Sequence, residues 1–144
     1  MTEREFYRKH LRPALFHPPT TQVFRVEDYG IPDVLVVHNG VTFYLELKVL
    51  DHLPVRKGTV FRVNTTVEQR RTMDQINETM AFQERAFVLV AVTREKRWFL
   101  LRADSPTELE TEALPSWTIA SGSFDELRGG LRKIINQGGS HEYE

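Results

Sequence analysis

Cysteine is absent from the 144-residue chain, so neither disulfide bonds nor cysteine-ligated zinc sites can form. No apolar run reaches membrane-spanning length, and the N-terminal stretch MTEREFYRKH is charged throughout. Neither a membrane span nor a secretory signal peptide is therefore predicted, and we expect a cytoplasmic protein of a bacterial, archaeal or phage-infected cell.

A strong excess of either charge is also missing. Lys and Arg number 19 against 20 Asp and Glu, which leaves a net charge of −1 and argues against a strongly basic nucleic-acid coat protein. The bases nevertheless cluster locally, and such clusters are usually solvated faces unless other features make them phosphate contacts. A hydrophobic content of 40% in a chain of this length suits one domain with one core.

Hydrophobic periodicity predicts a mixed α/β fold with a central mixed sheet flanked by helices. The predicted elements are, in order, a helix over about 3–15, strands QVFRVED, DVLVVH and VTFYLELKV, a helix over 66–84, and strands AFVLVAV and RWFLLRA. Thr65-Thr66-Val67-Glu68 has the spacing of a capping box. Residues 104–120 look irregular, and a helix weakened by Gly129-Gly130 follows from about 123. We expect a core over 1–103, with 104–144 as a C-terminal helical extension packed on the same domain and ending in a flexible tail.

Three polar residues stand in the two strands that flank Asn39-Gly40, a strong signal for a two-residue hairpin turn. In that register Asp33 lies opposite Glu46 on one face of the sheet, with Cβ atoms about 5 Å apart. Lys48 lies on the same face, because alternate residues of a strand point the same way. The other face is apolar and needs a covering helix: Val34, Val36, Phe43, Leu45, Leu47 and Val49.

The carboxylate pair is costly for stability alone. Two charges about 5 Å apart repel by about 3 kcal/mol at an effective dielectric constant of about 20, whereas a favourable cross-strand pair contributes only about 0.2–1 kcal/mol. A divalent cation would offset the repulsion, and oxygen ligands of this kind suit Mg²⁺. The alternative is a solvated rim on which Lys48 bridges the two acids.

Two predicted helices add polar groups. A helical wheel places Glu3 on the apolar stripe of the first helix and Glu5 among solvated bases. Gln69 shares a face of the second helix with Met73 and Ile76. Several histidines have no shared spacing and are interpreted as surface or packing residues: His10, His17, His38 and His52.

Together, Pro32-Asp33, the hairpin and Glu46-x-Lys48 resemble the PD-(D/E)xK nuclease superfamily. The start EREF is similar to the acidic first helix of archaeal Holliday-junction resolvases. The segment FRVNTTVEQRRTMDQI, followed by AFVLVAV and RWFLL, is similar to the region after E-x-K in RecU-type resolvases. VRR-NUC nucleases are similar as well. The resemblance covers about residues 3–102 and implies a restriction-endonuclease-like core.

This resemblance implies phosphodiester hydrolysis that depends on Mg²⁺ or Mn²⁺. Asp33 and Glu46 would hold the metal, joined by the Leu47 backbone carbonyl and Glu3. Lys48 would position the attacking water and neutralise developing charge, while Gln69 would orient Lys48 or a phosphate. DNA-backbone contacts are expected from the nearby bases: Arg56, Lys57, Arg62, Arg70 and Arg71.

No zinc finger, helix-turn-helix or other recognition module is visible in the sequence. We therefore expect selection by DNA structure or delivery by a partner, with a C₂ homodimer suited to symmetric cutting of branched DNA. The C-terminal extension, with Trp117 and Phe124, is a candidate dimer or partner surface, although ordinary core packing is the favoured interpretation of these aromatics. Two alternatives remain: a phage DNA-processing, packaging-associated or restriction-like endonuclease, and a non-catalytic nucleic-acid-binding or assembly module.

Overall fold

The computed structural model describes residues 1–26, 32–79 and 84–141. Helix α1 covers residues 3–15 as Glu3–Phe6, a π-helical segment Tyr7–Leu11 and Arg12–Leu15; the other long helices are α2 (Val67–Thr79) and α3 (Leu127–His141). The described strands are β1 (Thr21–Arg25), β2 (Val34–His38), β3 (Val41–Leu50), β4 (Val60–Arg62), β5 (Ala86–Val92), β6 (Arg97–Arg102), β7 (Glu108–Glu110) and β8 (Thr118–Ser123). Short helical segments lie at Thr111–Ala113, Leu114–Trp117 and Phe124–Glu126.

The main sheet has six strands in the order β1-β2-β3-β5-β6-β8. Only the β3–β5 pairing is parallel, and the other pairings in this sheet are antiparallel. The connection from β3 to β5 contains β4 and α2, and β4 pairs with β7 in a separate two-stranded sheet. The predicted mixed sheet flanked by helices is therefore confirmed.

The β2–β3 hairpin has the predicted register. Asn39 and Gly40 both adopt positive φ, at 50° and 80°, as a type I′ turn requires at its two central positions. His38 pairs with Val41, and Val34 pairs with Leu45. The turn chemistry therefore decides which residues of β3 face which side of the sheet.

Each face of the main sheet has its own apolar core. Leu45 and Leu47 lie in the first core, which α1 and α3 cover with Phe6, Leu11, Leu15, Leu127, Leu131 and Ile135. The second core lies under α2 and contains Val88, Val90, Met73 and residues of the β4–β7 region. Tyr44, Glu46 and Lys48 point toward this second side, because they alternate with Leu45 and Leu47.

Several predicted details were wrong. Residues 104–120 are not irregular, because β7 and the start of β8 lie there and β8 extends the main sheet beside β6. The capping box is Thr66 with Gln69, one residue later than predicted, since the side chain of each bonds to the backbone N–H of the other. By contrast, the core-packing interpretation of the two C-terminal aromatics is confirmed: Trp117 packs against the second core and Phe124 against the first, and both are partly buried.

Parts of three predicted elements lie outside the described residues: the end of the first strand (27–28), the end of the second helix (80–83) and the last residues of the tail (142–144). The division into 1–103 and 104–144 stays a prediction. Within the described ranges, no helix is both long and apolar enough to cross a membrane.

Helix α3 approaches the sheet closely at Gly130. A methyl group there would overlap the ring of Trp98, whose side chain is buried and whose indole N–H donates to the Ser123 carbonyl (2.7 Å). Gly129, one residue earlier, has open space around its Cα. The close contact therefore needs glycine at 130 and not at 129.

We expect Gly130→Ala to lower the free energy of unfolding by about 1–3 kcal/mol through overpacking. The matched control Gly129→Ala should raise it by up to about 1 kcal/mol, because alanine favours helix more than glycine does. Urea unfolding of both variants and the wild type checks this, and equal stabilities of the two variants would contradict the packing.

Candidate active site

Asp33 and Glu46 meet at the start of the β2–β3 hairpin. Asp33 directly precedes β2, and its carbonyl accepts a hydrogen bond from the Val26 N–H (2.7 Å), which ties it to the end of β1. Val34 pairs with Leu45, so the next positions outward in the two chains are Asp33 and Glu46. Asp33 is close enough to Glu46 that its hydrogen bonding and its charge both act on the Glu46 carboxyl.

The Glu46 carboxyl is 0% exposed. Its Oε1 accepts a hydrogen bond from Gln69 Nε2 (3.1 Å), whereas Oε2 has no donor among the described residues. Burial, together with the hydrogen bond and charge of Asp33, raises the pKa of Glu46 to about 9. A buried carboxyl in this position is stable only when a proton or a cation neutralises it.

The start of α2 fixes the Gln69 side chain. Gln69 Oε1 accepts a hydrogen bond from the Thr66 N–H (2.8 Å), and Thr66 Oγ1 accepts one from the Gln69 N–H (3.0 Å). This reciprocal cap occupies the amide oxygen. The amide nitrogen is then directed toward Glu46, so the helix terminus itself orients the hydrogen bond to the carboxyl.

Lys48 lies between Glu46 and the start of α1. Its Nζ is 3.9 Å from Glu3 Oε1, so Glu3 faces the site, as the helical wheel predicted. Burial raises the pKa of Glu3 and nearby Lys48 opposes that effect. Glu5 instead accepts a hydrogen bond from the Thr2 hydroxyl (3.3 Å), on the outer side of the helix start.

The donor set fits a hard divalent cation. In the described part of the chain, no three His, Asp or Glu side chains stand together as a ready-made ligand group. However, Mg²⁺ commonly uses only one or two carboxylates and keeps several waters. Asp33 and the donor-free Oε2 of Glu46 supply such a pair, and Leu47 lies between Glu46 and Lys48 in β3. Glu3 is engaged with Lys48.

The bases expected to contact DNA have different environments. Arg70 donates to Thr65 Oγ1 (2.7 Å) and to the Ala103 carbonyl (2.6 Å), and burial lowers the pKa of its guanidinium. Arg62 pairs with Glu108 (2.6 Å). Arg71 is exposed and lines an open groove along α2. Exposed residues Arg56 and Lys57 make no ion pair with any described residue.

Arg25 is a charged neighbour of the site that the sequence analysis missed. Arg25 is the last residue of β1 and pairs with Val34. Its guanidinium carbon lies 5.9 Å from the centre of the Tyr7 ring. Its positive charge lowers the pKa of Glu3. Its Nη1 is buried without an acceptor among the described residues. The first helix and the end of β1 are separated in sequence, so no local sequence pattern signals that Arg25 approaches Glu3.

The raised pKa of Glu46 predicts a pH-dependent stability in metal-free protein. Between its unfolded value of about 4.5 and its folded value of about 9, the folded state binds a proton that the unfolded state lacks. Stability should therefore fall as pH rises through this window, by up to about 1.4 kcal/mol per pH unit. Urea unfolding across the window in EDTA measures this slope.

Glu46→Gln should remove this part of the slope, because glutamine does not titrate. Glu5→Gln, at the outer side of α1, serves as the matched control and should keep it. An identical pH dependence in wild type and Glu46→Gln would contradict the burial of a protonated Glu46.

Comparisons with known proteins give a match in structure only. No protein-family profile matches the sequence, and no curated protein matches it either. The fold is similar to that of Hjc from Archaeoglobus fulgidus, a Holliday junction resolvase from an archaeal hyperthermophile, with a TM-score of 0.50 and 15% identity over 89% of this chain and 93% of that chain. The protein therefore has the mixed α/β fold of this nuclease.

Proposed function

We propose that the protein is a metal-dependent DNA endonuclease that hydrolyses phosphodiester bonds in branched DNA. The observation that carries this proposal is the fully buried Glu46 carboxyl, which lies beside Asp33 and has one oxygen without a donor among the described residues. Lys48 adds a cation on the same strand. The two carboxylates suit the binding of a metal cation, and the lysine beside them suits the binding of a phosphate.

Asp33, Glu46 and the Leu47 carbonyl would hold Mg²⁺ or Mn²⁺. When bound, such an ion lowers the pKa of a coordinated water and stabilises negative charge on the scissile phosphate. Lys48 would donate a hydrogen bond to the attacking water or to a phosphate oxygen. Glu3 positions Lys48 through their ion pair.

We propose a role for Gln69 that differs from the one expected from the sequence. Its amide nitrogen donates to Glu46 and its oxygen accepts from the Thr66 N–H. We therefore assign Gln69 to orienting Glu46, and not to orienting Lys48 or a phosphate. Such support from a neighbouring hydrogen bond keeps a metal ligand in the geometry that binding requires.

Branched DNA is the proposed substrate class. The structural neighbour is a Holliday junction resolvase, and the near-neutral net charge of −1 gives no general attraction to duplex DNA. A C₂ homodimer would place one site on each of two DNA strands.

A cytoplasmic location is part of the same proposal. Trp117 and Phe124 of the C-terminal segment pack against the cores, so these two aromatics do not support a protein partner there.

The two alternatives make different demands on the site. A phage-type or restriction-like endonuclease would use the same residues on linear duplex. A non-catalytic binding module would have no use for a fully buried carboxyl beside Asp33, because its burial is costly even with Lys48 nearby. The buried carboxyl therefore favours an enzyme over a binding module.

The test is incubation of the protein with a four-way junction, a flap, linear duplex and single-stranded DNA, each with Mg²⁺, Mn²⁺ or EDTA. We expect cutting of the branched substrates that requires the metal. Equal cutting of junction and linear duplex would overturn the substrate assignment. Failure to cut any substrate, in an assay where a control resolvase cuts, would overturn the enzymatic function.

Asp33→Ala, Glu46→Ala and Lys48→Ala should each reduce cleavage by at least about 10²-fold, because each removes a metal ligand or a charge that acts in the transition state. DNA binding should be nearly unchanged. Glu3→Ala should cause a smaller loss, and Glu5→Ala is its matched control and should cut normally. Gel-based cleavage and fluorescence anisotropy measure the two properties. Normal cleavage by all three variants would place the site elsewhere.

Arg56 and Lys57 should contribute sequence-independent affinity for DNA. Removing either cation should weaken binding to all DNA substrates and reduce the slope of log K against log salt by about one. Arg62→Ala is the matched control, because Arg62 is already paired with Glu108 and should change the slope less. Anisotropy titrations at several salt concentrations measure the slopes, and equal slopes in all variants would contradict the assignment.

A further inference from the structure

The turn over residues 53–59, here called the Val55 turn, connects the end of the catalytic strand β3 to β4. We infer that Pro54-Val55 acts as an apolar wedge that enters the base stack of branched DNA beside the cut site and so sets substrate selectivity. This inference rests on the proposed function. Four observations carry it: the anchoring of the turn, the exposure of Val55, the charges around it and its distance from Glu46.

The Val55 turn is anchored at both ends. Leu53 is buried in the second core, and the Thr111 hydroxyl donates to the Pro54 carbonyl (3.3 Å). On the other side, β4 pairs with β7 from Val60 onward. The Thr59 N–H donates to the Arg56 carbonyl (3.2 Å) and Gly58 adopts a φ of 82°, which closes the tip as a tight turn. The tip is therefore presented on a fixed base.

The Val55 side chain is 97% exposed, compared with 69% for Val67 and 51% for Val60. Packing gives no reason for an apolar residue at this position, because Val55 contributes to neither core. The preceding proline restricts the backbone, so less conformational entropy is lost when the tip is ordered against a ligand. An exposed apolar tip on a rigid base is suited to insertion.

The charges around Val55 indicate what it inserts into. Arg56 and Lys57 follow it directly, are exposed, and pair with no acid in the described ranges. An apolar protein groove would leave these two cations without counter-charges. DNA offers both features at once, with phosphates for the cations and base faces for the valine.

Val60 provides a contrast within the same region. It is exposed on β4, but it lies opposite Glu110, and the neighbouring Arg62 is paired with Glu108. Within strands β4 and β7 as described, the one basic residue is therefore already engaged by an acid. Exposure of a valine alone therefore does not predict insertion, whereas exposure beside two unpaired cations does.

The distance to the site is suitable. Glu46 and Lys48 lie in β3, which ends at Leu50, and the strand rise places Leu50 about 13 Å from Glu46. The Val55 turn begins three residues later. The wedge therefore lies within one helical turn of DNA, about 34 Å, from a phosphate bound at Glu46.

Selectivity follows from the cost of opening the base stack. Inserting an apolar side chain between stacked pairs costs a few kcal/mol per step in a continuous duplex. The cost is lower at a branch point, where stacking is already interrupted. The same wedge should therefore bind branched DNA well and linear duplex poorly, while Arg56 and Lys57 contribute affinity for both.

The test uses a four-way junction with 2-aminopurine next to the branch point, because this base becomes brighter when it is unstacked. Binding is followed in EDTA, so that the result does not depend on cleavage. Binding of the wild type should raise the fluorescence, and Val55→Ser should abolish most of this rise. The ratio of the affinity for the junction to the affinity for linear duplex should fall by about tenfold in Val55→Ser. The matched control Val60→Ser, also an exposed valine, should behave like wild type.

Two results would overturn the wedge: an unchanged fluorescence rise and preference in Val55→Ser, or equal losses in Val55→Ser and Val60→Ser. Thermal unfolding of both variants should match the wild type, since neither side chain lies in a core. The proposed nuclease function is tested separately, because it fails only if the wild type shows no metal-dependent cutting. The binding experiment retains its meaning in that case.

Discussion

The structure depends on one constraint, the burial of the Glu46 carboxyl in the middle of a sheet. Glu46 pairs across β3–β5 with Val88 and lies under α2, on a face that is otherwise mostly apolar. A charge in such surroundings costs far more than a surface charge does, so the group must be protonated or bind a cation. Gln69 satisfies one oxygen. The second oxygen has no donor in the described chain, and this is the oxygen that the proposed metal would bind.

The elements around Glu46 are arranged to support this group from several directions. The hairpin supplies Asp33, the capped start of α2 supplies Gln69, and the start of α1 holds Glu3 against Lys48. Each of these residues lies at or near the end of a regular element, where backbone hydrogen bonds fix its position. Polar groups held in this way need little reorganisation when a ligand binds, which is the main source of electrostatic catalysis.

Under the proposed function, the distribution of the basic residues decides where a nearly neutral protein would bind DNA. Arg70 binds the backbone at Ala103, and Arg62 neutralises Glu108, so both stabilise the fold. Arg56 and Lys57 remain exposed on the Val55 turn. Under the proposed function, these two cations would contribute attraction to phosphate.

The sequence by itself determined the hairpin, its register and therefore the meeting of Asp33 with Glu46. Asn39-Gly40 permits the two positive φ angles of the turn, and the period of two then assigns every residue of β3 to a face. The helical wheel likewise selected Glu3. These features depend on interactions between residues close in sequence. Tertiary structure alone decided the rest: that β8, with its small polar residues, adds to the sheet, that Arg70 turns inward to Ala103, and that Arg25 approaches Glu3. Their positions depend on pairing and packing between distant segments, which leave no periodic signal in the chain.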